Sequence, residues 1–186
     1  MRKLSVFNQV TVDGYFVDMN GDMSWAHRDD PEWNAFVQDN ASGGGTLLFG
    51  RHTYEMMVSF WPTPTAEQMA PVVAERMNAL PKVVFSRTLE NASWNNTKLV
   101  KNEIVAEVRK MKEEPGADLV IFGSGTIVAQ FTDAGLIDEY QLVVNPLVLG
   151  GGKSMFHGVK TRQPLRRTKT RTFENGNVLL CYEPAR

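Results

Sequence analysis

The sequence predicts an α/β fold: a mainly parallel central sheet, helices on both of its faces, and an antiparallel C-terminal hairpin. Three observations predict it. Residues 118–152 read as strand, glycine turn, helix and strand, which is the size of one βαβ unit. Short apolar β runs and helical runs alternate along the preceding chain, the pattern of a parallel sheet covered on both sides. Near the end, Asn175-Gly176 sits between two further β runs and is the strongest short-range hairpin signal in the chain.

The elements follow in order. Leu4–Val10 is a buried first strand that ends in Thr11-Val12-Asp13-Gly14-Tyr15, where Asp13-Gly14 signals a turn. Asp18–Ser24 is a polar loop, followed by Trp25. A helix starts at Pro31, capped by Asp29 or Asp30, with Trp33, Phe36 and Val37 as its apolar stripe; Asn40 and the glycines 43–45 end it. Thr46–Phe49 is the next strand, and a short helix over Thr53–Val58 follows. Thr65 and Gln68 have capping-box spacing for a helix over 66–79, which Pro71 weakens. Lys82–Phe85 is a third strand and Lys98–Val100 a fourth. Asn102 is placed to cap a helix bearing Ile104, Val105, Val108 and Met111, stopped at Pro115-Gly116. Within the 118–152 unit, Asp118–Phe122 is a strand and Thr126–Ala134 a helix closed by Gly135, before a strand over Leu142–Leu149. Leu165–Phe173 and Val178–Tyr182 form the hairpin.

The chain of 186 residues fits one domain, has 42% apolar and 22% charged residues, and carries a formal net charge of −1. No block of like charges points to nucleic acid. The basic run Lys160–Arg171 reads as a solvated strand face, with an anion-binding surface as the alternative. Cys181 is the only cysteine, so no intrachain disulfide or cysteine metal site is expected. The N-terminal apolar run is too short for a signal peptide and no apolar run spans a membrane, so a cytoplasmic protein is expected.

The chemistry is expected where strands end. Phe49-Gly50-Arg51-His52-Thr53, Phe85-Ser86-Arg87 and Phe122-Gly123-Ser124-Gly125-Thr126 each close a β run with small residues, hydroxyls or arginine beside a helix start. Parallel strands deliver their carboxyl ends to one edge, where ligands bind. The first N–H groups of a helix lack internal partners and favour phosphate. The guanidinium forks of Arg51 and Arg87 suit a phosphate monoester. The plainer readings are a tight turn for Gly-Ser-Gly and surface cover for the arginines.

With these residues in hand, the sequence resembles the dihydrofolate reductase superfamily. Within it, the chain is similar to the branch holding the reductase domain of bifunctional riboflavin-biosynthesis deaminase–reductases (RibD C-terminal domain-like). The matching stretches are T-V-D-G-Y at 11–15, F-G-R-H-T-Y-E at 49–55, V-V-F-S-R at 83–87 and I-F-G-S-G-T-I at 121–127. G-L-I-D-E-Y at 135–140 with P-L-V-L-G-G-G at 146–152 favours the riboflavin-type branch. The resemblance spans nearly the whole chain. It implies a dihydrofolate reductase-like three-layer fold over residues 1–186 and an NADPH-dependent reductase, similar to 5-amino-6-(5-phosphoribosylamino)uracil reductase, acting on a pterin- or pyrimidine-like heterocycle.

By the same resemblance, Gly50, Arg51 and Thr53 lie along the cofactor phosphates, and Ser86 and Arg87 meet the 2′-phosphate and adenine. Gly123, Ser124, Gly125, Thr126 and Ile127 take the pyrophosphate. Asp30 follows the loop tryptophan Trp25 at the spacing of the family's acidic residue and would assist protonation; as the residue before Pro31 it is also an ordinary N-cap. Asp13, Trp25, His27 and Trp33 line the substrate pocket, the aromatics being equally readable as core. The resemblance implies a homodimer, with the 146–152 loop and the C-terminal hairpin as contacts. A catalytically silent NADP(H)-binding dimer of the same fold is the alternative. No H-x-E or P-C-x-x-C zinc pattern of the deaminase half is present, and His52–Pro64 lacks the Asp-Pro-Leu-Thr-type segment of riboflavin reductases.

Overall fold

The computed structural model describes residues 1–27 and 30–185. Eight strands form one sheet in the order β5-β4-β3-β6-β1-β7-β10-β9. The first six are parallel: β5 (Thr97–Val100), β4 (Lys82–Phe85), β3 (Thr46–Gly50), β6 (Leu119–Phe122), β1 (Leu4–Thr11) and β7 (Glu139–Asn145). The hairpin of β9 (Leu165–Thr172) and β10 (Val178–Pro184) joins the β7 edge antiparallel. The expected fold class is therefore the observed one. The 118–152 unit is also present, but its two strands are not neighbours. They flank β1, which lies in register with both.

Strand pleating sorts the core into two layers. One face carries Leu4, Val6, Leu48, Val83, Leu119 and Ile121, and packs on α5 (Ile104–Glu113) and α6 (Gly125–Asp133). The other face carries Leu47, Phe49 and Val84 against α2 (Arg51–Phe60) and α4 (Pro71–Ala79), and Phe7, Val143 and Leu179 against α1 (Pro31–Ser42). Helix α1 runs antiparallel to β1. Its C-terminal end, at Asn40 and Gly43, borders the same cleft as Ser5, Asp118 and Glu139 at the strand starts. Its N-terminal cap therefore lies at the carboxyl edge of the parallel strands.

Several boundaries differ from expectation for local reasons. The helix over 66–79 is two helices, α3 (Pro64–Met69) and α4, because Pro71 opens the second; Thr63, not Thr65, caps the first by accepting from Ala66 N–H at 3.3 Å. The cap of α5 is Glu103 in a left-handed conformation, not Asn102, and it makes no side-chain cap bond. Helix α2 begins at Arg51, directly on the strand end. Strand β7 starts at Glu139 and stops at Asn145, since Pro146 has no N–H to continue the ladder. The hairpin turns through Glu174–Gly176, with only Gly176 at positive φ (+87°) and Phe173 N–H bonded to Asn177 C=O at 2.9 Å. That is a three-residue loop rather than a two-residue turn.

The predicted cap at Gly135 is present in full. Gly135 has φ +63°, its N–H bonds Thr132 C=O, and Leu136 N–H bonds Phe131 C=O, both at 3.0 Å. A two-stranded sheet of β2 (Tyr15–Val17) and β8 (Lys153–Ser154) was not expected from the sequence. Gly152 is forced there, because a Cβ would lie 2.1 Å from Val17 C=O. No helix among the described residues is long and apolar enough to cross a membrane.

Candidate active site at the carboxyl edge of the sheet

Three of the predicted motifs meet on adjacent strands. At the end of β3, Gly50 N–H donates to Ser124 Oγ at 2.7 Å, across to the turn after β6. Ser124 Oγ in turn donates to Thr53 Oγ1 at 3.0 Å. Ser124 holds this position in a left-handed conformation (φ +60°, ψ +53°) that a non-glycine residue adopts only when its surroundings fix it. The glycine turn is thus Gly123-Ser124, both left-handed, and Gly125 begins α6.

The glycines here are close-packed. A Cβ on Gly123 would lie 2.6 Å from Thr53 Oγ1, and one on Gly50 would lie 3.2 Å from Ser124 Oγ and 3.3 Å from Ile127. Gly125 is covered by Met155 C=O and the Phe16 ring. Asn8 Nδ2 donates to Gly123 C=O at 3.1 Å, pinning the turn to β1. The turn is thus packed and hydrogen-bonded to β1, β3 and α2. Its outward groups are the first N–H donors of α6 and the exposed Thr126; Ile127 is buried and its N–H is taken by Ser124 C=O at 2.8 Å.

The end of β4 joins through arginine. Arg51 donates from Nε to Glu55 Oε1 and from NH1 to Thr88 Oγ1, each at 2.7 Å. Ser86 Oγ accepts from the N–H groups of Thr88 (3.2 Å) and Leu89 (2.9 Å), which shapes the loop. Arg87 is exposed and has no polar partner among the described residues. At the other, amino end of β4 Lys82 is 1% exposed, and its ammonium donates to the carbonyls of Met77, Asn78 and Leu80 at 2.8, 3.1 and 2.6 Å, over the Trp94 ring. Burial lowers its pKa to about 8.

The remaining predicted residues lie on the β1–β7 side of the edge. Asp30 is the N-cap of α1, its Oδ1 accepting from Trp33 N–H at 2.7 Å; Asp29, the other expected cap, lies outside the described residues. Trp33 is 5% exposed and packs edge-on to Phe173 at 5.1 Å, so its ring is core under α1. Trp25 sits in a 3-10 turn (Ser24–Ala26), with its Nε1 buried and without a partner among the described residues. His27 is exposed immediately after it. Asp13 accepts from Thr11 Oγ1 at 2.6 Å and from Gly150 N–H at 2.7 Å, binding the end of β1 to the 146–152 loop. The Thr11 hydroxyl, with the Gly150 and Leu149 N–H groups, holds its carboxyl below the ordinary value.

Sequence reasoning did not single out Asn8, Glu55, Thr88, Asn145 or Asn177. Asn145 and Asn177 are both fully buried, and three of their side-chain polar atoms have no partner among the described residues. Leaving a buried polar atom unpaired costs about 1–3 kcal/mol. A polar residue within an otherwise apolar alternating strand was the available signal for Asn145.

Comparison with known proteins places the chain in a family. The model of the RibD C-terminal domain matches residues 2–179. This chain belongs to the RibD C-terminal domain family. It is 32% identical to YyaP of Bacillus subtilis (strain 168) over 181 residues, covering 97% of this chain and 94% of that protein, whose function is uncharacterized. Among solved structures, a candidate riboflavin biosynthesis protein from Shewanella sp. PV-4 aligns over 99% of both chains with a TM-score of 0.75 and 22% identity. A deaminase/5-amino-6-(5-phosphoribosylamino)uracil reductase from Thermotoga maritima aligns with a TM-score of 0.70 and 14% identity. It covers 99% of this chain but 57% of that longer one. These likenesses show the RibD C-terminal fold in the present chain.

Proposed function

We propose that this RibD C-terminal domain protein is an NADPH-dependent reductase that delivers hydride to a small conjugated heterocycle of pterin or pyrimidine type. The observation that carries the reading is the junction of three strand-end motifs on neighbouring strands β4, β3 and β6, laced by Ser124–Gly50, Ser124–Thr53 and Arg51–Thr88 bonds. Its outward chemistry is cationic arms, hydroxyls and helix N–H groups, and the carboxylate of Glu55 is already held by Arg51. That donor set fits the phosphates of a dinucleotide.

In this reading Arg51 and Arg87 take the 2′-phosphate, and the N–H groups of Gly125 and Thr126 take the pyrophosphate. Gly50, Gly123, Ser124, Thr53 and Ser86 hold those groups in place. NADPH supplies the hydride. The chain's own part is to orient the reacting ring and manage the proton. Asp30 is fixed at the N-cap through Oδ1, leaving Oδ2 to carry a proton towards a ring beside Trp25 and His27. Asp13 keeps the 146–152 loop against the same edge.

A homodimer through the C-terminal hairpin belongs to the same proposal. It is supported by β9, whose side chains are almost all exposed, and by the half-buried Leu142, Leu180 and Tyr182 on the adjoining strands. Light scattering during gel filtration tests it; a monomer at micromolar concentration contradicts it.

The reductase reading is tested by NADPH oxidation across a panel of pterins, dihydropterins and pyrimidinediones, with Asp30→Asn alongside wild type. Turnover that falls at least tenfold in Asp30→Asn, with the melting temperature retained, supports it, because asparagine still caps the helix. NADPH binding without turnover on any substrate would favour the silent binding protein instead.

A further inference from the structure

Asn145 and Asn177 sit opposite each other, one step beyond the Val144–Val178 pair of β7 and β10. Pleating puts them on the face of Val143 and Leu179, beneath α1, and one step nearer the carboxyl edge. Gln9 of β1, in register with Val143, shares that face. Both asparagines are 0% exposed. Asn145 Nδ2 donates to Gln9 Oε1 (3.3 Å), Val10 C=O (3.4 Å) and Val143 C=O (3.3 Å), while its Oδ1 accepts nothing. The Asn177 amide has no partner on either atom among the described residues.

The Asn177 side chain has no role in its own turn. Its backbone N–H is taken by Asn175 Oδ1 at 3.0 Å and its C=O by Phe173 N–H at 2.9 Å. The loop would close with many residues here. An aliphatic side chain in a seat lined by Val143, Leu179 and Phe173 would avoid the unpaired amide altogether. A neutral donor and acceptor held in one plane, with a second acceptor beside it, matches a complementary N–H and C=O on a ligand. The side chains on these three strand positions are neutral, and the charged Arg171 that shares the face over Phe173 is already paired with Glu32 at 2.9 Å, which points to an uncharged edge.

We infer that Asn177 and Asn145, oriented by Gln9, are the specificity-determining seat for an uncharged cis-amide edge, as in a lactam or cyclic urea, on the ring that enters beneath α1. This inference rests on the reductase reading for its location and extends it to the part of the substrate that is recognised. Both amides are covered in this fold, so docking requires the residues above them to part.

The test is isothermal titration of uracil and pterin, and of 2,4-dimethoxypyrimidine, in which the N–H/C=O edge is erased. It is run on the protein with and without NADPH, for wild type, Asn177→Leu and the smaller Asn177→Ser. Uracil or pterin is expected to bind wild type at least tenfold more tightly than the dimethoxy compound. Both variants lose that discrimination, and Asn177→Leu keeps or raises the melting temperature. Equal binding of all three compounds by wild type, no binding of any, or discrimination that survives in both variants overturns the seat. So does a melting temperature that collapses in both variants, which would mean the amides hold only a structural water. NADPH is titrated separately. If it fails to bind, the reductase reading falls, and the cofactor-free titration still decides the seat.

Discussion

The two halves of the carboxyl edge treat their polar atoms in opposite ways. On the β3–β4–β6 side Ser124, Thr53, Thr88 and Arg51 are engaged by neighbours, Arg87 and Thr126 stay exposed, and a methyl group on Gly123 would meet Thr53 at 2.6 Å. On the β1–β7–β10 side, two buried asparagines keep three polar atoms unpaired among the described residues. The first region is finished by the chain itself and presents a preformed surface to a ligand that repeats from protein to protein, such as a cofactor. The second is left incomplete, as expected where a particular ligand supplies the missing partners. Rigid donors on one side and unmet donors and acceptors on the other separate general binding from specific recognition.

If the first region is locked, breaking its packing costs most. Gly123→Ala places a methyl group against Thr53 at φ +60° and should lower stability by about 3 kcal/mol in urea unfolding. Adding Thr53→Ala should recover part of that loss, since it removes the clashing atoms. At the amino end of β4, away from the carboxyl edge, Lys82→Met orphans three carbonyls and should cost about 2–3 kcal/mol at neutral pH.

Lys82 also makes stability depend on pH. Its folded pKa of about 8 lies below the ordinary 10.5, so between those values the unfolded chain holds a proton that the folded one has released. Its contribution therefore makes stability rise with pH across that window, and Lys82→Met should flatten that rise. Ser124→Ala, which removes the link between the two turns, should cost about 1–2 kcal/mol.

The second region should respond differently. Asn177→Leu should leave stability within about 0.5 kcal/mol of wild type or raise it, because it deletes a buried amide that nothing satisfies. A loss of the Ser124→Ala size there would erase the contrast. The smallest effect concerns Asp13. Its carboxyl is held below the ordinary 3.8 by Thr11 and the loop N–H groups, so its grip on the 146–152 loop persists above that value. The grip is lost as pH falls through the lower folded value, and amide exchange at Leu149 and Gly150 should accelerate only there.

Much of this architecture was legible because it rests on short-range signals. Glycine at Gly135, proline at Pro31 and Asn175-Gly176 each fix local backbone, and the structure shows a helix end, a helix start and a hairpin at those places. The strand-end motifs were visible as residue types, but not how they interlock. That Ser124 rather than Gly125 takes the left-handed position, and that Thr53 fills the space against Gly123, depends on β3 and β6 being neighbours. The insertion of β1 between β6 and β7 is likewise long-range. Asn177 was hidden for another reason: beside a turn glycine an asparagine reads as turn chemistry, and only the fold shows its side chain turned inward and unpaired.

The most direct measurement is a titration of NADPH and NADH into wild type, Arg51→Ala and Arg87→Ala, followed by tryptophan fluorescence. The account predicts that wild type binds NADPH at least tenfold more tightly than NADH, and that either substitution removes most of the difference. Failure of wild type to bind either nucleotide would contradict it. The interlocked strand ends would then be a structural device, not a cofactor surface.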